Sequence, residues 1–202
     1  MKKNKLFCAA ISLCLALSLI IPLTSCVYSD EIIPCYDIVS SLTEIEIGLP
    51  AGKIYSSSAK EGEEEYLPDT LLASLLGDGK QLPLFDSWID CALFLPSSNH
   101  PCQIIAILCD TPTSAKDTAR LLSRRLNTLR SAYKASNGGG ISRPSAENGA
   151  AVDTAAYLDN ATVMINRNYV LLIISSDTAT LRKKAFAMTG SLVPIRQASN
   201  AE

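Results

Sequence analysis

The sequence predicts an α+β fold, with about four antiparallel strands in two hairpins and helices packed on one face of the sheet. Three observations support this. Short apolar segments come in pairs around turn residues: "SWIDCALFL" and "CQIIAILCD" flank "PSSNHP", and "ATVMI" and "YVLLIIS" flank "NRN". Each pair is followed by a helical pattern. The first of these helices carries one clean apolar stripe. Two hairpins each followed by a helix suit one antiparallel sheet covered by helices.

The elements follow in order. In "CYDIVSSLTEIEI", apolar residues Ile38, Val39, Leu42 and Ile45 fall at helical spacing, and Gly48 and Pro50 stop the helix. The next stretch, with Glu61, Glu63, Glu64 and Glu65, reads as a solvated loop. Pro68 and Asp69 open a short helix through Leu71, Leu72, Leu75 and Leu76, closed by Gly77. Strands near 88–95 and 102–109 form the first hairpin. With its turn centred between Ser98 and Asn99, Cys91 faces Ala106 and Cys102 faces Leu95. Cys109 then points to the opposite face from both.

Thr111 followed by Pro112 marks a helix start. Ala115, Ala119, Leu122, Leu126, Leu129 and Tyr133 then recur at alternating steps of four and three, which places them on one face. Arg120, Arg124, Arg125 and Arg130 lie on the other positions and read as a solvated flank, with a basic ligand patch as the sharper alternative. "SNGGGISRPSAENG" is a loop by composition. "AVDTAAYLD" reads as a short helix. The second hairpin spans 161–166 and 169–175, with asparagine in "NRN" able to take positive φ. Ser176 or Asp177 caps a last helix that turns Leu181, Ala185 and Met188 inward and ends at Gly190. The two ββα units suggest a degenerate structural repeat without sequence identity.

The N-terminus carries the functional signal. Lys2, Lys3 and Lys5 precede "LFCAAISLCLALSLIIPL", which is apolar and uncharged, and "LTSC" follows. This is the layout of a secretory signal. The run from Leu6 to Leu23 is long enough to span a bilayer, but Pro22 and the lack of a basic stop-transfer cluster favour a cleaved signal. Leu23, Thr24, Ser25 and Cys26 resemble the lipobox of bacterial lipoproteins. That resemblance implies diacylglycerol on Cys26 and cleavage before it. The expected organisation is a signal peptide over 1–25, a lipidated tether over 26–34, one α+β domain over 35–190 and a frayed tail over 191–202. The expected location is the outer side of the cell membrane.

Charge and cysteine usage narrow the classes. The formal net charge is −2, and losing Lys2, Lys3 and Lys5 with the signal makes it −5. That balance excludes an ordinary nucleic-acid binder. Cys35, Cys91, Cys102 and Cys109 remain as an even set in an exported domain, which permits disulfides. Alternating side-chain faces favour free thiols, and the spacings do not match zinc sites. His100 is the only histidine, set in a Pro-flanked turn, and no G-x-S-x-G elbow accompanies it. Ser57 with Lys60, and Ser131 with Lys134, match S-x-x-K without the partner motifs of that chemistry. The expectation is a domain without enzymatic activity, cofactor or metal.

Taken in order, "YSSSAKEGEEEYLPDTLLASLLGDG", "SSNHPCQIIAILCD", "TARLLSRRLNTL" and "ATVMINRNYVLLIIS" resemble a family of small clostridial-type lipoproteins classed as domain of unknown function 4358. The resemblance runs from Cys35 to Met188. Asn168 stands where that family often has glycine before Tyr-Val. The resemblance implies a bacterial surface lipoprotein and supplies no catalytic residues. The expected role is a monomeric domain held to the membrane through Cys26 that binds a protein or envelope component. The alternative is a small-ligand receptor associated with a transporter, for which 177 mature residues (202 less 25) is small. A cell-wall hydrolase is the third class, disfavoured by its missing residues.

Overall fold

The computed structural model describes residues 32–46, 49–77, 85–97, 100–137, 146–147, 150–151, 153–190 and 193–194. The expected signal peptide, the lipobox-like Leu23, Thr24, Ser25 and Cys26, the first part of the expected tether, the Ser98–Asn99 turn and most of the 136–149 loop lie outside them.

The fold is mixed α+β and built on one antiparallel sheet. The elements are α1 (Cys35–Ile45), β1 (Gly52–Ser56), α2 (Asp69–Leu76), a 3₁₀ turn at Phe85–Ser87, β2 (Trp88–Pro96), β3 (Gln103–Cys109) and α3 (Pro112–Asn137). There follow β4 (Ala146–Glu147), β5 (Ala150–Ala151), α4 (Thr154–Asn160), β6 (Thr162–Asn166), β7 (Tyr169–Ile174), α5 (Thr178–Thr189) and β8 (Val193–Pro194). The sheet order is β1-β2-β3-β7-β6-β8, with β4 and β5 pairing separately. Both expected hairpins are present, and β3 against β7 joins them.

Two strands join the expected four in the main sheet. β1 comes from the segment read as loop. "GKIYS" is too short and too polar to signal a strand alone. It is held because Gly52 to Ser56 pair with Pro96 to Ala92 along the edge of β2. The acidic residues after it remain in an exposed loop, as expected. β8 comes from the tail expected to be frayed: Val193 and Pro194 pair with Ile165 and Met164. A proline there fits an edge, where one N–H is not needed by a further strand.

The helices cover both faces of the sheet, not one. On the first face, Cys91, Leu93, Ile105, Ile107, Val163, Val170 and Leu172 pack under α2, α3 and α4. On the second, Ala92, Phe94, Ile104, Ala106, Leu108, Met164, Leu171 and Ile173 pack under α1 and α5. The reason is compositional. β3 and β7 read as continuous Ile/Leu/Val runs, and from Ile104 to Cys109 and from Val170 to Ile174 every residue is buried. A strand apolar on both sides needs cover on both sides. It follows that the two ββα units are not copies of one arrangement, because α3 and α5 lie on opposite faces.

The first hairpin is one residue out of the expected register. Cys91 pairs with Ile107, not Ala106, and the register steps between Trp88 and Asp90. A bulge there leaves Ile89 pointing outward, 59% exposed. Side chains alternate across a sheet, so this one-residue shift moves Cys109 to the face of Cys91 and leaves Cys102 on the other. The second hairpin closes through Arg167 and Asn168, with Asn166 opposite Tyr169. Arg167 takes the positive φ, 49°, rather than an asparagine. Asn168 instead ties the turn to β3: its amide donates to the Asp110 carbonyl, and its carbonyl accepts from Cys109 N–H at 2.8 Å.

Helix ends follow their chemistry. Thr111 Oγ1 accepts from Ser114 N–H at 3.1 Å, with Pro112 first in α3. Asp177 and Asp153 cap α5 and α4, each accepting a backbone N–H at 3.1 Å. α1 has no side-chain cap of its own. Asp90 on β2 substitutes from a distance, its carboxylate accepting Cys35 N–H at 2.7 Å. The same carboxylate accepts Ser57 Oγ–H at 3.0 Å, and Ser57 Oγ accepts Cys91 N–H at 2.8 Å. One side chain thus joins α1, the end of β1 and β2.

Gly52 sets how closely β1 can seat. A Cβ there would stand 2.4 Å from the Phe94 ring and 2.5 Å from the Leu95 carbonyl oxygen. The ring can move, but the carbonyl belongs to the ladder. Gly52→Ala is therefore predicted to destabilise the domain by about 1–3 kcal/mol. That exceeds the several tenths that alanine recovers in chain entropy. A lowered urea midpoint with an unchanged slope is the expected result, and an unchanged midpoint would show that β1 is not seated this way.

Candidate functional site

Side chains from four separate elements meet at the end of the sheet where β7 finishes and β3 begins. Glu46 directly follows α1 and is buried. Its carboxylate accepts Ser175 Oγ–H at 2.7 Å on one oxygen and Ser176 Oγ–H at 2.8 Å on the other. Ser175 and Ser176 directly follow β7. His100 and Cys102 precede β3, and His100 Nδ1 accepts Cys102 N–H at 3.2 Å. Tyr157 on α4 meets the His100 ring edge-on at 5.1 Å.

This node is built to hold polar groups in an apolar setting. Burial pushes the Cys102 thiol up to about 12, and the Glu46 carboxylate adds to the rise. Burial also raises the Tyr157 phenol, against the opposing effect of a hydrogen bond to Ser176. A thiol held neutral is a poor nucleophile. Glu46 gives both of its oxygens to hydroxyls, so what it does here is fix the two serines.

Ser176 connects the node to the surface. It lines an open cleft of about 350 Å³ between the start of β6 and the start of α5. Asn160, Thr162, Asp177, Thr178 and Arg182 supply the other polar walls, with the methyls of Ala161 and Ala179 between them. Thr178 Oγ1 donates to the Ser175 carbonyl at 3.1 Å, and Ser175 Oγ accepts Asp177 N–H at 3.0 Å. The β7–α5 turn is thereby held on both sides.

The residues singled out from the sequence are placed as follows. His100 is buried beside Tyr157 rather than exposed in its turn. Ser57 is spent on Asp90 and Cys91, while Lys60 is on the surface, so the S-x-x-K pair is not assembled. The arginines of α3 do not form one patch. Arg130 donates to the Leu158, Asp159 and Ala161 carbonyls and so closes the end of α4. Arg120 pairs with Asp117, and burial of Arg125 lowers its basicity. Cys35, Cys91, Cys102 and Cys109 are all buried free thiols. Among the described residues, no cluster of metal-ligating groups occurs, and no helix is long and apolar enough to cross a membrane.

The sequence offers Ser176 only as a cap for the last helix and singles out neither Glu46, Ser175 nor Tyr157. One signal pointed to Glu46: it sits four residues after Leu42 and eight after Ile38, on the buried side of the stripe. Ile45, expected inward, is 37% exposed. Nothing local marks the serines, which gain their meaning only from the partner 130 positions away.

No protein-family model, no curated protein and no solved structure matches the chain.

The buried thiols make stability depend on pH in a definite direction. Each has a raised folded-state pKa against an ordinary value of 9.0. Unfolded chains release these protons first, so stability falls as pH rises above 9, and for Cys102 the fall continues to about 12. At pH 10 the Cys102 thiol should cost about 1.4 kcal/mol relative to neutral pH. Urea midpoints measured at pH 7.5 and 10 should show a smaller loss in Cys102→Ala than in the unaltered chain. Equal losses would mean that Cys102 ionises freely in the fold.

Proposed function

We propose that this chain is an extracytoplasmic bacterial lipoprotein, anchored through diacylglycerol on Cys26, whose α+β domain binds a component of the cell envelope without catalysing a reaction. The observation that carries the reading is the lipobox-like Leu23-Thr24-Ser25-Cys26 at the end of an uncharged apolar run, set a short distance before the first residue secured in the fold. That residue is Ile33, whose N–H donates to Tyr169 Oη and whose carbonyl accepts from the same hydroxyl, both at 2.9 Å. Seven peptide units separate Cys26 from Ile33, at most about 25 Å of extended chain. A domain on so short a tether works at the membrane surface. Two acyl chains hold a protein there durably, where one does not.

A binding role is supported by how the reactive groups are used. The thiols are buried and held neutral, and Glu46 is committed to two hydroxyls. The cleft beside Ser176 is open to solvent and offers partners rather than a nucleophile. The resemblance to clostridial-type lipoproteins points the same way.

Cys26→Ser is predicted to abolish incorporation of a palmitate analogue and to leave the precursor uncleaved. Metabolic labelling in a bacterial host followed by gel mobility reads both effects. Labelling of the variant at the level of the unaltered chain would overturn the anchor.

A further inference from the structure

We propose that the cleft between the start of β6 and the start of α5 is a binding site for a neutral saccharide, with Asn160 and Arg182 as its principal free donors. This rests on the envelope-binding reading above and gives that partner a chemical class. The argument runs through the chemistry of the walls. Asn160, Thr162 and Arg182 make no side-chain hydrogen bond or ion pair with the described residues, so their polar groups are available to a ligand. Ser176 and Thr178 each donate their hydroxyl proton inward, to Glu46 and to the Ser175 carbonyl, so their oxygens can serve a ligand only as acceptors, Ser176 with one lone pair left beside its bond to Tyr157. The walls therefore offer both donors and acceptors, as a ring bearing several hydroxyls requires.

Charge of both signs in the wall favours neither a simple anion nor a simple cation. Asp177 stands in the wall with its carboxyl held below the usual range by Thr180, so it repels an anion at neutral pH. Arg182 in the opposite sense repels a cation. A mainly polar lining gives an apolar molecule little to bury against. The volume, about 350 Å³, is at the small end for ligand sites and suits one or two sugar rings. The Ser175 and Glu46 contacts fix the positions of Ser176 and Thr178 before any ligand arrives, which lowers the ordering cost of binding.

The test is saturation-transfer NMR on the full chain in micelles of a sugar-free detergent, with an N-acetylglucosamine trimer and maltotriose as probes and inorganic phosphate as control. Transfer to at least one sugar is expected, with affinity reduced about tenfold or more when Asn160→Ala and Arg182→Ala are combined, as loss of two hydrogen-bonding groups implies. Both side chains are exposed, so the variant should fold, and its circular dichroism should match that of the unaltered chain. Absence of transfer from both sugars, equal transfer in the double variant, or displacement of bound sugar by phosphate would overturn the proposal. Sugar binding by a chain that fails to incorporate palmitate would sink the anchor alone. Palmitate incorporation without sugar binding would sink the saccharide site alone.

Discussion

The fold depends on the pairing of β3 with β7. These strands come from different hairpins and lie at the middle of the sheet, and their side chains are buried above and below. Residues 103–108 against 169–174 form the longest-range ladder among the described strands, so closing it brings together segments more than sixty positions apart. The β3–β7 seam is what turns two hairpins into one domain, and burial of Ile and Leu on both faces is what stabilises the seam, at roughly 1.5–3 kcal/mol for each fully buried side chain.

Covering both faces of that seam dictates where the helices go. α3 lays Ala115, Ala119, Leu122 and Leu126 on one side, and α1 and α5 lay Ile38, Leu42, Leu181 and Ala185 on the other. α3 presents small alanines to its side of the core in its N-terminal half and leucines further along. The polar pins lie at the margins. Asp90 ties α1 to β2 at one place, Tyr169 holds the entering chain at Ile33, and Glu46 ties the end of α1 to the end of β7. α1 is thus secured at both ends by side chains outside it, which compensates for having no cap of its own.

Much of this was legible in the sequence. The stripe of α3, both hairpins, the Thr111-Pro112 start and the Asp177 cap were each visible because local spacing or local capping chemistry determines them. What was not legible depended on partners distant in the chain. β1 has no strong pattern and exists as a strand because β2 offers it an edge. The register of the first hairpin turned on a bulge at Ile89, and no residue type there signals one. The two-sided cover was in principle readable, since "QIIAILC" and "YVLLII" show apolar residues without alternation. Hairpin geometry suggested one solvated face, and that expectation lost to the demand of continuous apolar strands for cover on both sides.

The polar node shows the same division between local and distant causes. A buried carboxylate is costly unless its oxygens are satisfied, and an apolar residue of similar size at position 46 would avoid that cost. Glu46 is instead satisfied on both oxygens, by hydroxyls that directly follow β7. Its stability contribution is therefore small next to its geometric one. Through Ser175 it orients the turn that carries the Asp177 cap, and through Ser176 it fixes one wall of the cleft. Tyr157 and His100 fill the space behind, and they hold the β3 start and α4 against the same point. A leucine at 46 would pack, but it would leave the Ser175 and Ser176 hydroxyl protons without their acceptor. The arrangement places a hydrogen-bonded carboxylate and its two serines directly beneath an open polar cleft.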